Sequence, residues 1–369
     1  MRHDDAEVGR ADAALAVDPL AEVRSPEDPA FDVFLTGTVF LDIVFTGLHH
    51  APAVGTEVWA DGMGSCPGGI ANLAIATSRL GLNTALAAAF GDDVYGDFCW
   101  ESLTEYEDVD LSLSHRVGGW HSPVTVSLAY DGERTLITHG HPPVGGEPIP
   151  ANPPSARTSV VQLTPGRRDS WVEQASAQGS LIFADVGWDE TDAWSADMLS
   201  DLRFCHAFLP NAVEAMRYTR TRSQRDALHR LAGIVPVAVI TDGAGGALAI
   251  DNITGESAQA PGLAVTALDP TGAGDVFIAG FITGTLAGWP LANRLRFANL
   301  VAALSVERFG GSLAAPDWLE IATWWWQTKR NPAATELARE YRFLDDLVPP
   351  IRPGQRRRAV PTVGFRGQA

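Results

Sequence analysis

Residues 268–275 read Leu-Asp-Pro-Thr-Gly-Ala-Gly-Asp and lead directly into an apolar helical segment over 273–287. Glycines at the start of a helix let backbone N–H groups converge on an anion, and the helix dipole adds to the attraction. Asp275 would then sit beside a bound phosphate, where its charge suits the task of accepting a proton from an attacking hydroxyl. An Asp at a helix N-terminus is explained equally well as a cap. This segment alone leaves both interpretations open.

A second glycine-rich segment lies much earlier in the chain. Residues 66–72 read Cys-Pro-Gly-Gly-Ile-Ala-Asn and form a turn that opens a helix. Gly68 and Gly69 permit a ligand to approach the backbone closely, and the Asn72 amide both donates and accepts hydrogen bonds. These groups suit a polyhydroxylated ligand, although a plain helix-opening turn has the same composition.

Around these segments the chain alternates apolar runs with helical patterns. The runs predict buried strands over 31–37, 84–90, 159–163, 181–185, 207–209 and 237–241. Helices are predicted over 70–80 and 93–106, and the chain is mainly helical after Asp269. The alternation predicts an α/β fold, a three-layer α/β/α arrangement with a mostly parallel central sheet and helices on both faces.

Two segments break this rhythm and predict a smaller sheet. Apolar and polar residues alternate with period two over 55–63 and 122–138, and Asp131-Gly132 is a strong hairpin-turn signal. Strands of this kind have one face free of the core. We therefore expect a small β-sheet lid with strands near 55–64 and 115–138.

Composition excludes several classes of protein. The 369 residues are 46% hydrophobic and 20% charged, enough to bury a core, and the formal net charge of −18 argues against a nucleic-acid partner. Apolar runs stay shorter than a membrane span. The three cysteines are scattered and odd in number. We expect a cytoplasmic protein without nucleic-acid or membrane partners.

The two ends of the chain differ from its body in charge. Residues 1–30 carry eight acids and three arginines, whereas residues 352–369 carry five arginines and no acid. We expect 1–30 to be a poorly ordered acidic extension, 31–330 to be the folded domain, and 331–369 to hold a helix and a basic tail.

The two glycine segments, in this order, resemble the signatures of the ribokinase family, also called the PfkB carbohydrate kinases. The N-terminal signature is matched by Gly68, Gly69, Asn72, Gly81 and Gly91, and the C-terminal one by Asp269 to Asp275. Two further elements fall in family order, with Asn211 and Glu214 in the first and Thr241, Gly243 and Gly246 in the second. The resemblance covers roughly residues 31–326.

The resemblance implies ATP-dependent phosphorylation of a hydroxyl group, with ATP and Mg²⁺ bound. Asp275 would be the general base. The backbone amides of Gly272, Ala273 and Gly274 would form an anion hole for the transferred phosphoryl group.

Other residues take family roles by position. Asn211 and Glu214 would organise Mg²⁺, partly through water. The nucleotide site would be formed by Thr241, Gly243, Gly246 and Asn299. Asp269 resembles the monovalent-cation loop of some members, which would bind K⁺.

The acceptor site would be formed by Asp42, Gly68, Gly69 and Asn72. The spacing from Gly68 to Asn72 is one residue shorter than in ribokinase, and Phe40 replaces a polar residue, so ribose itself is disfavoured. An acidic body favours a neutral sugar over a phosphorylated one. The resemblance also implies that the lid can mediate a homodimer.

Two alternatives remain beside a sugar kinase. The first is a nucleoside, inositol or vitamin-alcohol kinase of the same family. The second is a dinucleotide-binding protein or non-catalytic regulator, because residues 243–248 partly match a GxGxxG loop. The third glycine of that loop is absent, no acid follows at the usual spacing, and Asp275 is retained. The kinase interpretation is therefore preferred.

Overall fold

The computed structural model describes residues 17–130, 133–143, 146, 152–164, 170–187, 189 and 191–348. The predicted Asp131-Gly132 turn, the first sixteen residues of the acidic extension and the basic tail lie outside the described residues.

The strands run, in chain order, as β1 Phe31–Thr36, β2 Val39–Thr46, β3 Gly62–Gly69, β4 Thr84–Ala87, β5 Ala89–Gly91, β6 His115–Val117, β7 Val124–Tyr130, β8 Glu133–His139, β9 Ala156–Leu163, β10 Leu181–Val186, β11 Ala207–Phe208, β12 Val237–Thr241, β13 Ala247–Asp251 and β14 Glu256–Ala260. The α-helices are α1 Ile70–Arg79, α2 Val94–Glu101, α3 Ser170–Ala177, α4 Ala212–Thr219, α5 Gln224–Ala232, α6 Ala273–Leu286, α7 Leu291–Val306, α8 Trp318–Arg330 and α9 Thr335–Glu340.

The central sheet has the order β14-β13-β12-β11-β10-β9-β1-β4. The parallel part of this sheet consists of β4, β1, β9, β10, β11 and β12, and β13 and β14 continue it as an antiparallel edge. Alternate residues of β10 serve the two faces: Phe183 packs into the core formed with α6 and α7, whereas Ile182 and Ala184 pack with α3 and α4. The predicted three-layer α/β/α fold with a mostly parallel sheet is confirmed.

The lid is a four-stranded sheet in the order β3-β2-β7-β8. The strands of this sheet differ from the predicted lid strands, near 55–64 and 115–138, in two places. In the first, residues 55–61 are turn and coil, and the strand begins at Gly62. The short strand β6 pairs with β5 rather than with the lid.

The strand β3 therefore contains Gly68 and Gly69, which the sequence predicts as a turn. Its partner β2, an eight-residue strand carrying Asp42, is absent from the predicted elements. Pro67 lacks a backbone N–H, which β3 tolerates because, among the described strands, it is the edge strand of the lid next to β2.

Both ends of the described chain pack against the core. Leu20 is fully buried, and Arg24 makes two hydrogen bonds, at 2.7 and 2.8 Å, to the buried carboxylate of Asp32. At the other end Tyr341 and Leu344 are buried in the same core as α7 and α8. Within the described ranges, none of the helices combines the length and the apolar character that crossing a membrane requires.

Candidate active site

A cavity of about 360 Å³ lies where the parallel strands end and the lid begins. In open α/β sheets this edge is the usual ligand site, since loops and helix N-termini converge there. The walls come from the β1–β2 turn, the starts of α1 and α6, and the ends of β9 and β10. The polar side chains on these walls are Thr36, Thr38, Asn72, Gln162, Asp185 and Asp275.

Asn72 and Asp275 meet across the two helix N-termini. Each is the third residue of its helix, and Asn72 Nδ2 donates to Asp275 Oδ2 at 3.1 Å, joining positions 203 residues apart. Gly272, the residue before α6, has a φ of +76°, and a Cβ there would lie 3.2 Å from Asn72 Cγ. The left-handed backbone conformation favours glycine at 272, and a side chain there would crowd the Asn72 amide.

Asp275 is set up to exchange a proton near neutral pH. Burial raises the pKa of this carboxyl to about 6, against the opposing effects of the Asn72 hydrogen bond and the charge of Arg134 on β8. A base is most effective when its pKa lies near the working pH. At neutral pH Asp275 is mainly ionised and able to accept a proton.

The predicted anion hole lies at the start of α6. A Cβ built on Gly274 would meet no described atom within 4 Å outside its own stretch of helix, so there is open space beside its Cα. The Ala273 N–H already donates to the Pro270 carbonyl, at 3.3 Å, and a phosphoryl oxygen would share or displace that long bond. The buried Thr271 Oγ1 has no hydrogen-bond partner among the described residues.

Asp269 braces this loop. Its Oδ1 accepts from Thr271 N at 3.0 Å, and its Oδ2 accepts from Gly310 N and Gly311 N at 3.4 and 3.2 Å. The carboxylate predicted to bind a monovalent cation is therefore already bonded to three backbone amides.

Asp42 lies on the lid strand β2, next to β3. It is 7% exposed and is not among the cavity-lining side chains, whereas Phe40 and Gly69 are. A Cβ built on Gly68 would lie 2.0 Å from Asp42 Oδ2, so the carboxylate occupies the space that the missing side chain leaves. Burial raises the pKa of Asp42 to about 7, with Arg134 opposing the rise.

The predicted nucleotide residues form a separate cluster at the end of β12. Gly243 and Gly246 both have positive φ, and a Cβ on Gly246 would lie 2.1 Å from the Ala260 carbonyl oxygen. Asn299 Nδ2 donates to the carbonyls of Ala260 and Pro261, both at 3.1 Å. Asn299 therefore holds the strand end that packs against this loop.

The predicted metal residues occupy the start of α4. Asn211 and Glu214 form a capping box, in which each side chain accepts from the backbone N–H of the other. Burial raises the pKa of Glu214. A parallel bridge links Asn211 to Thr241, so this pair adjoins the nucleotide cluster.

Asp185 is a site residue that the sequence reasoning missed. It is the penultimate residue of β10, and burial together with the charges of Asp275 and Glu214 raises the pKa of its carboxyl well above the usual range. The Asp185 carboxyl therefore interacts with the charge of the candidate base, Asp275, and with that of the candidate metal residue Glu214. Its signal was present in the sequence, because an acid at the end of a predicted buried strand belongs to the ligand edge.

The described residues hold no group of three acidic, histidine or cysteine side chains that could bind a metal directly. A divalent cation at this edge would need fewer protein ligands, completed by water and substrate phosphates, which is how Mg²⁺ usually binds.

The chain matches the model of the pfkB family carbohydrate kinase over residues 54–318. It is 28% identical to the fructokinase of Klebsiella pneumoniae over 291 residues, which covers 70% of this chain and 93% of that protein. It is 27% identical to the nucleoside kinase of Methanothermobacter thermautotrophicus over 294 residues, covering 78% and 93%. A structure from Escherichia coli, assigned as ribokinase II and solved with ATP and Mg²⁺, superposes on this chain with a TM-score of 0.67. The two chains are 19% identical, and the superposition covers 80% of this chain and 99% of the other.

The fold and these similarities place the protein among the phosphotransferases. The family match spans most of the chain, so the protein belongs to the pfkB family of carbohydrate kinases. It is an ATP-dependent phosphotransferase with an alcohol group as acceptor, of the sugar or nucleoside kinase type. The resemblance and the enzyme class predicted from the sequence are both confirmed.

Proposed function

We propose that this protein transfers the γ-phosphoryl group of ATP to a hydroxyl of a small neutral sugar, with Asp275 as the general base. The observation that carries the proposal is the position of Asp275. Its carboxyl lines a cavity at a glycine-rich helix N-terminus, and its pKa is about 6. A carboxylate beside a bound phosphate would be repelled by it, and taking a proton from the acceptor hydroxyl accounts for a carboxylate at that place.

The reaction is a direct in-line transfer. The acceptor oxygen forms a bond to the γ-phosphorus as its proton passes to Asp275, and the bond from that phosphorus to the bridging oxygen of ADP breaks. The amides of Gly272, Ala273 and Gly274 would stabilise charge on the transferring group. The open space beside Gly274 supports this assignment.

Mg²⁺ would be held by Glu214 and Asp185, with Asn211 fixing Glu214 through the capping box. Both carboxyls have a raised pKa: burial raises that of Glu214, and burial together with the charges of Asp275 and Glu214 raises that of Asp185. A nearby cation would relieve that cost. When bound, the metal neutralises the ATP phosphates.

The nucleotide would bind along Thr241, Gly243 and Gly246. Both glycines have positive φ, and open space faces Gly243. Asn299 supports this assignment indirectly, since it fixes the adjoining strand end. K⁺ would act through Asp269, whose carboxylate already accepts three backbone N–H groups, by binding beside Oδ2, where the contacts to Gly310 and Gly311 are 3.4 and 3.2 Å.

The acceptor would bind between the lid and α1, at Asp42, Gly68, Gly69 and Asn72. A nucleoside is the second candidate, because the chain is 27% identical to a nucleoside kinase over 78% of its length. The lid also supports a homodimer, since Leu136 and Ile137 on β8 are 49% and 61% exposed.

A screen of ATP consumption tests the proposal. The full-length protein is incubated with ATP, Mg²⁺ and each of a set of sugars, polyols and nucleosides, and ADP and phosphorylated product are both measured. We expect acceptor-dependent ADP formation with stoichiometric product. ADP formation that is independent of every acceptor would contradict the proposal, and a preference for nucleosides would select the second candidate.

A further inference from the structure

The orientation of the Asn72 amide is fixed by chemistry. An ionised carboxylate only accepts hydrogen bonds, so the NH₂ group of Asn72 must face Asp275, and its oxygen must face away. That oxygen, Oδ1, is buried and has no hydrogen-bond partner among the described residues. Asn72 therefore uses its donor on the base and keeps its acceptor free.

The surroundings hold Asn72 in this position. The side chain is 7% exposed, and α1 packs directly on α6. Gly272 packs against the amide carbon, at a place where a Cβ would come within 3.2 Å. Burial, the packing of the two helices and Gly272 therefore restrict the movement of the amide.

We propose that Asn72 is a positioning residue for the base: it holds Oδ2 of Asp275 and leaves the other carboxylate oxygen to take the proton. The sequence resemblance assigns Asn72 only to acceptor binding. The free Oδ1 of Asn72 is compatible with acceptor binding, but acceptor binding does not require the contact between Asn72 and Asp275. The inference rests on the proposed function, in which Asp275 is the base.

This contact also sets the pH range of the reaction. The Asn72 hydrogen bond favours ionised Asp275 and so lowers its pKa, against the effect of burial. The other charged groups that face this carboxyl are Arg134 on β8, Asp42 on β2 and Asp185 on β10. Loss of the Asn72 donor leaves these unchanged and raises the pKa of Asp275, so activity is lost at a higher pH as the solution is acidified.

The experiment compares wild type, Asn72→Ala, Asn72→Asp and the control Asn83→Asp. Asn83 lies in the exposed turn after α1 and receives the same charge change. For each protein kcat and acceptor KM are measured between about pH 5 and pH 9, and folding is checked by thermal melting. We expect the acidic limb of kcat to move up by about one pH unit in Asn72→Ala. The shift should be larger in Asn72→Asp, since two adjacent carboxylates resist joint ionisation.

A role in acceptor binding alone would give a different result. In that case acceptor KM would rise in Asn72→Ala while the limb of kcat stayed where it is in wild type, which would overturn the inference. Asn72→Asp is isosteric and keeps the test available if the alanine variant fails to fold.

A second readout separates this inference from the proposed function. The Asp275 carboxyl is titrated by NMR in protein labelled with ¹³C-aspartate, with Asp275→Asn supplying the assignment. We expect the midpoint to rise in Asn72→Ala relative to wild type, whether or not an acceptor is known. An unchanged midpoint would refute the positioning role, whereas a wild type that phosphorylates no acceptor would refute the proposed function alone.

Discussion

Replacing Gly68 with alanine should damage acceptor binding and leave ATP binding intact. The added Cβ would lie 2.0, 2.1 and 2.3 Å from Oδ2, Cγ and Oδ1 of Asp42. Real carbon atoms do not approach this closely, so the carboxylate must rotate away or β3 must separate from β2. The register pairs Asp42 with Cys66 and Phe40 with Gly68, and this ladder resists separation. We therefore expect Asp42 to move.

The size of the effect follows from what Asp42 would lose. A hydrogen bond to a charged group is worth about 1.5–3 kcal/mol, so acceptor KM should rise about 10- to 100-fold. Overpacking costs about 1–3 kcal/mol, which should lower Tm by a few degrees. KM for ATP should stay within about twofold of wild type, because the nucleotide cluster lies at the end of β12.

Steady-state kinetics with each substrate varied in turn supply the assay. The matched control is Gly118→Ala, where the new Cβ would lie 3.8 Å from the Asp92 carboxylate, an ordinary contact. In the double variant with Asp42→Ala, the effect of Gly68→Ala on KM should disappear, because no carboxylate remains to be displaced. An unchanged acceptor KM in Gly68→Ala, or a rise in KM for ATP alone, would refute the placement of Asp42 in the acceptor site.

Three further predictions concern buried charges. Burial raises the pKa of Asp42 and Asp185, so the stability that these carboxyls contribute is present at low pH and is lost as pH rises through the raised pKa. Asp42→Asn should therefore raise Tm in calorimetric scans by a few degrees at about pH 8 and by less at about pH 5. An equal gain in Tm at both pH values would contradict this linkage. Glu214→Gln should raise the Mg²⁺ concentration needed for half-maximal activity by about 10-fold or more, and an unchanged Mg²⁺ titration would exclude Glu214 from the metal site. Arg79 makes hydrogen bonds of 2.7 Å to both carboxylate oxygens of Glu107, and both side chains are buried. Arg79→Met should therefore lower the free energy of unfolding, measured by urea titration, by about 3–5 kcal/mol, because it leaves the Glu107 charge buried without its partner. A loss below about 1 kcal/mol would contradict a stabilising role for this buried ion pair.

The parallel sheet is predictable because its strands carry local signals. The strand β12 begins and ends at the predicted residues, Val237 and Thr241, since an apolar run between turn residues is sufficient evidence of a buried strand. The same rule predicts the strand 181–185 that corresponds to β10, and the last residue of that predicted strand, Asp185, could have been considered as a ligand.

The strand β3 shows where local evidence fails. Its residues, Gly-Met-Gly-Ser-Cys-Pro-Gly-Gly, have the composition of a turn. They become a strand because β2 pairs with them along eight residues and the Asp42 carboxylate fills the space above Gly68. Both causes come from a partner strand, so a pattern within residues 62–69 cannot reveal them.

The contacts of the site residues were also beyond sequence reasoning. The hydrogen bond from Asn72 to Asp275 joins positions 203 residues apart. Asp269 and Asn299 were predicted as ligand-binding residues, but each hydrogen-bonds to nearby backbone in the structure. Residue type indicates which groups can bind a ligand, and only the fold shows which of them are already engaged.

The central claim is that Asp275 is the base, and Asp275→Asn tests it against Asp226→Asn. Asp226 is the third residue of α5, just as Asp275 is of α6, so both variants remove the same charge from the same helix position. With the acceptor found by screening, kcat should fall about 10²- to 10⁴-fold in Asp275→Asn with ATP affinity retained, and should stay within about twofold of wild type in Asp226→Asn. Equal kcat values in the two variants would leave Asp275 with no more than the electrostatic role of an acid in the first turn of its helix, and would contradict the account.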